Sequence, residues 1–379
     1  MGRATRGCGC AAAVLIVVVA AAAIVGWKFV YPRWKLRPPP PSGGELQVRV
    51  LDVGPVNGDA ILITSPAGKN ILIDAGDATK GKNVVEALKR YNIQQLDYFI
   101  ITHPHPDHMG GSAEVFKAVK VLHVVDNGQG PAIPPSLIPK PTPTPKTRQP
   151  ATRRPTRQNT ITKFYDDYKE GLNKSGARYE QAQPGTKYDL GGGALLTVIG
   201  PTEPLFTKEH MKTGGNEANA NSVVLRLDYG SFSMLLPGDA EEQTEHRFIS
   251  KDVNVEAKVW KIAHHGSKYA TSADFVQRVK PQIVIISCGE WNRYGHPSQA
   301  VLDRLRAANV KLFRTDLHGE ITLTTRGRED DLVVKAAKES TADFWAGRTA
   351  QKDDSSRSGF IAYGDFGPPP KPRPSPRAR

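Results

Sequence analysis

Thr102-His103-Pro104-His105-Pro106-Asp107-His108-Met109-Gly110-Gly111 holds three imidazoles and a carboxylate within six residues, directly after an apolar run. A turn at that point can aim several of these side chains at one centre. Imidazole and carboxylate together suit Zn²⁺, Mn²⁺ or Fe, and the lack of a nearby Cys argues against Cu(I) or an iron–sulfur cluster. Pro104 and Pro106 restrict the backbone, and Gly110 and Gly111 allow a tight exit into the next helix. Two further segments offer donors of the same kind. Leu235-Leu236-Pro237-Gly238-Asp239 ends an apolar run with a carboxylate able to bridge two metals. Ile262-Ala263-His264-His265-Gly266-Ser267 ends another with paired imidazoles. A lone Gly-Asp after a strand is commonly a turn or a helix cap. Three donor clusters at the ends of three apolar runs carry more weight together than apart.

The elements that must position these residues follow from the pattern around them. Leu46, Val48 and Val50 alternate with Gln47 and Arg49, which predicts a strand with one buried face. Apolar runs at 60–64 and 70–74, split by Ser65-Pro66-Ala67-Gly68, predict a hairpin. Further strands are predicted at 96–102, 120–125, 195–199, 222–228, 232–236, 257–263, 283–287, 310–314 and 320–324. Helices are predicted at 84–91, 112–120, 164–176, 241–249, 272–279 and 299–308. Helices and strands in alternation, preceded by antiparallel hairpins, imply α/β layers with mixed sheets.

The chain has 379 residues, enough for one large domain or two ordinary ones. Its three Cys exclude a disulfide scaffold and a four-Cys zinc site, and Cys288 reads as a small buried apolar residue. The net charge of +13 is unevenly spread. Residues 1–44, 131–163 and 366–379 contain no acid and carry 6, 7 and 4 basic residues, so the remainder is mildly acidic at −4. The basic balance therefore belongs to Pro-rich or terminal segments, which suit a polyanion or a membrane surface.

Residues 1–10 form a short basic N-terminus. Ala11 to Trp27 is an uncharged apolar run of 17 residues, long enough for a membrane anchor or a signal segment. Trp27, Phe29, Tyr31 and Trp34 supply an interfacial belt that favours the anchor, with the bulk of the chain outside the cytoplasm. Residues 28–45 read as a Pro/Gly-rich tether. Residues 131–160, rich in Pro, Thr and Arg, read as a disordered insertion, and 326–379 as a low-complexity basic tail.

The His-x-His-x-Asp-His run, followed by a strand-end Asp and a strand-end His, resembles the metallo-β-lactamase fold superfamily. The series Asp52-Val53-Gly54, Gly58-Asp59-Ala60, Leu72-Ile73-Asp74-Ala75-Gly76, Asn219 to Ser222, Gly238-Asp239-Ala240, His264-His265-Gly266-Ser267, Asn292 to Pro297 and Arg314-Thr315-Asp316 with Gly319 is similar to the hydrolase domain of ComEC-type competence proteins. It spans about residues 46–325. The resemblance implies an αββα sandwich with two mixed sheets. With only one apolar span read, it implies a stand-alone, membrane-tethered relative lacking the channel portion. It further implies two divalent ions, Zn²⁺ or Mn²⁺, with His103 and His105 on one, Asp107 and His108 on the other, Asp239 bridging and His265 as a further ligand. Asp107 would also orient the attacking water, and His264 would face the substrate as acid or phosphate contact. Asn221, Ser222, Ser267, Tyr294 and His296 are implied as substrate contacts.

The chain departs from the family in two places. Three residues rather than one separate Gly54 and Gly58, and the usual extra His ligand has no clear counterpart: His123 lies on an apolar strand and His210 in a polar loop. The expected function is a metal-dependent phosphodiesterase or nuclease acting outside the cytoplasm, on a phosphodiester that includes DNA. A small-molecule hydrolase acting on a phosphoester, lactone or β-lactam, and a non-catalytic tethered module, are the alternatives. No protein partner is inferable.

Overall fold

The computed structural model describes residues 44–77, 80–130, 157–211, 216–290 and 294–348, giving the backbone alone for 157–162. The apolar run 11–27, most of the tether, residues 131–156 and the tail from 349 lie outside the described residues. Among the described residues, no helix is long and apolar enough to cross a membrane.

In chain order the strands are β1 (Leu46–Val50), β2 (Ile61–Thr64), β3 (Asn70–Ile73), β4 (Gln95–Ile100), β5 (Lys120–Asp126), β6 (Arg178–Gln181), β7 (Lys187–Gly191), β8 (Ala194–Gly200), β9 (Val224–Tyr229), β10 (Phe232–Leu236), β11 (Val259–Lys261), β12 (Ile283–Ile286), β13 (Lys311–Arg314), β14 (Ile321–Thr325) and β15 (Val333–Ala336). They form two mixed sheets. The first runs β15-β14-β1-β2-β3-β4-β5-β6, antiparallel as far as β3 and parallel from there. The second runs β13-β12-β11-β10-β9-β8-β7, parallel from β13 to β10 and antiparallel beyond.

The period of two along each strand sorts the apolar residues into layers. Ile61 and Ile63 of β2, with Ile71 and Ile73 of β3, join Leu225 and Leu227 of β9 in the core between the sheets. Leu62 and Leu72, one step away, face the opposite side and pack with Val84, Leu88 and Val115 of the helices Gly81–Arg90 and Ser112–Ala118. On the second sheet Trp260, Val284 and Ile286 pack beneath Phe248, Phe275 and Leu302 of the helices Glu242–Ser250, Ala273–Val279 and Gln299–Ala307. The result is a four-layer αββα sandwich. Continuous apolar runs such as Ile61-Leu62-Ile63 are what a strand covered on both faces requires. Cys288 is buried among these residues, as its sequence context predicts.

Three strands escape the sequence reading. β6 and β15 are the two edges of the first sheet, and β7 is an edge of the second. Two boundaries also shift. A helix Arg157–Ser175 begins inside the stretch read as a disordered insertion. Residues 326–348 are folded rather than low-complexity tail: β15 pairs with β14, and Phe344 and Trp345 pack against the outer core of the second sheet. The Pro/Arg-rich flanks obscured both, because the residues that anchor them are few and separated by polar ones.

One edge of the sandwich collects the ends of β3 and β4 from one sheet and of β10, β11 and β12 from the other. The sheets come close there. A Cβ at Gly238, whose φ is +57°, would lie 2.9 Å from the Thr102 Cβ, and the Val223 amide donates to the Thr102 carbonyl at 2.8 Å.

Candidate metal centre

After β4 the chain turns through Thr102 to His105, and Pro106 opens a one-turn helix, Pro106–Met109. Proline at a helix start sacrifices no hydrogen bond, since that N–H has no partner within the helix. The turn is pinned from below: the Asp59 amide donates to the Asp107 carbonyl at 3.1 Å, and the Ala75 amide to that of His108 at 2.6 Å. Glycine is obligatory at 111, where a Cβ would lie 2.2 Å from the Ala75 carbonyl oxygen. His103, His105 and His108 are consequently buried.

Asp74, immediately after β3, organises this loop. Its carboxylate accepts from the Thr102 amide at 2.7 Å and from the Thr102 hydroxyl at 2.8 Å, and it lies 2.7 Å from His108 Nδ1. An imidazole that donates Nδ1–H to a carboxylate presents Nε2 as a lone pair. His108 Nε2 accordingly faces the centre, 3.2 Å from Asp239 Oδ1. The Thr102 hydroxyl, its hydrogen given to Asp74, can accept from His103 Nδ1 at 3.0 Å, which turns His103 Nε2 inward.

Asp239 enters from the second sheet, its amide donating to the Ser222 hydroxyl at 3.2 Å. His265 follows β11. Its Nδ1 lies 2.8 Å from the Ser287 carbonyl, an acceptor only, so the other nitrogen carries the lone pair. That Nε2 is 3.3 Å from Asp107 Oδ2 and 3.7 Å from Asp239 Oδ2.

Among the described residues three groups of donors lie close enough to share an ion. Two of them, Asp107, His108, Asp239 and His265, and His103, His105 and Asp239, have one carboxylate in common, while the third, Asp59, Asp74 and His108, contains the Asp74 carboxylate that accepts from the Thr102 turn. The charges show what such a site demands. Burial, followed by the neighbouring imidazoles, holds His103 well below its ordinary pKa, and burial lowers His105 to about 4, so both are neutral ligand forms. Burial also opposes charge on His108 and His265. The carboxylates prevail, with Asp239 foremost on each, and both imidazoles are raised. Burial opposes charge on Asp107 and Asp239 too, yet the neighbouring imidazoles hold both below the carboxylate range. The buried anions therefore draw positive charge into the centre, and an Asp239 oxygen, Oδ1, lacks a hydrogen bond. Nitrogen and oxygen donors around buried anions fit divalent cations.

His264 stands apart from both donor groups. Its backbone is left-handed (φ 49°), as is that of His265 (φ 55°), a strained pair for non-glycine residues. His264 Nε2 lies 3.8 Å from Asp239 Oδ2, and its Nδ1 3.7 Å from the buried Glu241. Burial raises the Glu241 carboxyl to about 8 even though Asn219 and Asn216 donate to it. His264 is the more exposed of the pair, and its ring lies 5.5 Å from that of His296, which stacks on Tyr294 at 5.6 Å.

The other expected substrate contacts are engaged within the protein. Asn221 uses both ends of its amide on the Phe206 backbone, at 2.9 and 2.8 Å. Ser222 receives the Asp239 amide, and Ser267 is fully buried in the turn after His265. All three are buried. His123 stacks on Tyr98 at 5.0 Å and His210 completes a capping box with Thr207, so neither joins the donors. The residues without an assigned role in the sequence reading are Asp74, Asp59 and Glu241. Asp59 is buried in an ion pair with Lys261 and sits 3.5 Å from His265 Nδ1. Two sequence signals mark Asp59 and Asp74: each is a carboxylate flanking an apolar run, and each lies in a motif, Gly58-Asp59-Ala60 and Leu72 to Gly76, that carries the resemblance.

Comparison with known proteins agrees with this geometry. Residues 53–197 match the family model of the metallo-beta-lactamase superfamily. The chain is 27% identical over 308 residues to ComE operon protein 3 of Bacillus subtilis (strain 168), covering 76% of this chain and 34% of that protein. It is 27% identical over 287 residues to competence protein ComA of Neisseria gonorrhoeae, covering 75% and 33%. It is 25% identical over 305 residues to recombination protein 2 of Haemophilus influenzae, covering 79% and 31%. The chain thus spans about a third of the length of the curated relatives it matches.

Proposed function

We propose that this metallo-β-lactamase domain, of the kind found in ComEC-type competence proteins, is a divalent-metal-dependent phosphodiesterase that acts outside the cytoplasm, with DNA among its substrates. The observation that carries the reading is the sharing of Asp239 between two donor groups. Two divalent ions held by these groups would supply the charge that activates water and offsets charge developing on a phosphoryl centre. Asp107, His108 and His265 would hold one ion, and His103 and His105 the other.

The chain's own residues do the rest. Asp74, the Thr102 hydroxyl and the Ser287 carbonyl fix the ring orientations, so little reorganisation accompanies the reaction. Asp107 accepts from an attacking water and orients it. Burial lowers the His264 pKa and favours its neutral ring, so His264, 3.8 Å from Asp239 and partly exposed, would contact the phosphate through its N–H or, once protonated from solvent, donate that proton to the leaving oxygen. The 11–27 run tethers the domain to the membrane, and the basic 131–163 stretch supports the choice of a polyanionic substrate.

The test uses the full chain purified without chelator. Bound metal is quantified, and the same sample is assayed on bis-p-nitrophenyl phosphate, single-stranded DNA and double-stranded DNA. The expected result is near two metals per chain, with cleavage abolished by EDTA and restored by Zn²⁺ or Mn²⁺. Stoichiometric metal without cleavage of any phosphodiester would overturn the assignment in favour of a small-molecule hydrolase.

A further inference from the structure

Beyond the segment that carries the family resemblance, Asp343 to Arg348 runs along the outer core of the second sheet and ends against the loop that carries His296. The strap is held at its base by a buried charge cluster. Arg314, at the end of β13, donates Nε and Nη2 to Asp316 at 3.1 and 2.8 Å, and Nη1 to the carbonyls of Phe344 and Ala346 at 2.9 and 2.6 Å. Arg348 adds a second guanidinium to Asp316, with Nε at 2.8 Å. Both Asp316 and Arg314 are almost wholly buried. A planar guanidinium that pairs a carboxylate and two carbonyls at once fixes backbone as well as side chain.

What the strap holds is the loop that carries His296. The Arg348 amide donates to the Pro297 carbonyl at 3.0 Å. Gln299 clasps the strap with both ends of its amide, donating to the Trp345 carbonyl at 2.9 Å and accepting from the Gly347 amide at 2.8 Å. Contact at Gly347 is tight, since a Cβ there would lie 2.9 Å from the Gln299 nitrogen. Pro297 in turn abuts the turn of the paired imidazoles. A Cβ at Gly266 would come 2.7 Å from the Pro297 Cβ, and the Ser298 amide donates to the Gly266 carbonyl at 2.9 Å. Loop and strap therefore form one connected stack from Asp316 to the rings of His296 and His264.

We propose that residues 343–348 are a positioning strap for the Tyr294–His296 wall of the centre, and that they govern substrate capture rather than metal binding. The rings of the metal donors make their own hydrogen bonds away from the strap: His103 and His108 to Thr102 and Asp74 of the first sheet, and His265 to the Ser287 carbonyl. The wall has its outer support in the strap. The effect on substrate rests on the phosphodiesterase reading, whereas the mechanical claim stands by itself.

The test is the double variant Gln299→Ala/Arg348→Ala in the full chain. Gln299 is exposed and Asp316 keeps Arg314, so the fold is retained, which a thermal melt checks. Amide hydrogen exchange is followed in peptides covering 294–299 and 100–110, alongside bound metal and KM and kcat for bis-p-nitrophenyl phosphate. Loss of these hydrogen bonds should speed exchange at 294–299 about tenfold and leave 100–110 unchanged. KM should rise by a similar factor, with kcat within about twofold and metal content constant. Unchanged exchange at 294–299 would overturn the strap. Faster exchange with unchanged KM would overturn its link to substrate capture, as would loss of metal. Faster exchange in a protein whose wild type cleaves no phosphodiester would support the strap and sink the functional reading alone. A Gln299→Glu/Arg348→Lys variant, which keeps an acceptor and a charge, should recover part of the KM.

Discussion

On one side of Asp239 lie Asp107, His108 and His265; on the other lie His103 and His105. The first set draws on both sheets, and each of its imidazoles is anchored by a full acceptor: the Asp74 carboxylate for His108 and the Ser287 carbonyl for His265. The second set comes from a single turn of one loop. His103 is anchored by a hydroxyl already engaged with Asp74, and His103 Nε2 and His105 Nδ1 lie 2.9 Å apart. Four donors against three, and carboxylate against hydroxyl support, predict unequal affinity. One metal should be held as part of the fold, and the other should exchange more readily.

Asp239→Ala is the strongest challenge, because it removes the one residue common to both sides. Metal should fall below one per chain, and phosphodiester hydrolysis by at least about a thousandfold. Retention of one tightly bound metal would show that the four-donor side survives without the bridge. His264→Ala asks whether the weaker side hides a fourth ligand. If the residue serves as proton donor, kcat drops about a hundredfold or more while metal content stays constant. Loss of a metal instead would equalise the two sides and erase the contrast.

Asp74→Asn targets the support of His108. The expected change is about 10–100-fold weaker affinity at the four-donor side, read by chelator competition. An equal loss at both sides would mean that Asp74 acts mainly through the Thr102 turn. Thr102→Val is the mildest test. It keeps the shape and removes the hydroxyl that supports His103, and it should weaken the three-donor side about fivefold, the size of one hydrogen bond.

The donors themselves were legible because they cluster at the ends of apolar runs, and a strand end is where a side chain can leave the sheet. The central strands were legible for a related reason. Covered on both faces, β2, β4, β9 and β12 must be apolar along most of their length, and no loop has that composition. Edge strands obey a different rule. β6, β7 and β15 bury little or one face only, and polar residues protect the exposed edge. Their composition therefore resembles the loops beside them, and the folded stretch through Arg348 passed for tail.

The implied substrate contacts differ in their surroundings for a reason of the same kind. Asn221, Ser222 and His296 are all polar residues near a donor cluster. Asn221 is consumed by the Phe206 backbone and Ser222 by the Asp239 amide, while the His296 ring reaches His264. Which partner a polar side chain meets depends on residues far along the chain.

By itself, then, the amino-acid order determined the layers and the donor chemistry, because burial periodicity and ligand type are local properties of a segment. Only the tertiary structure decided that Asp239 belongs to two donor groups, that Asp74 orients His108, that His265 rather than His264 enters a donor group, and that residues 343–348 bond to the loop carrying His296. Each of these depends on distances of a few ångströms between segments that only the packing of two sheets brings together.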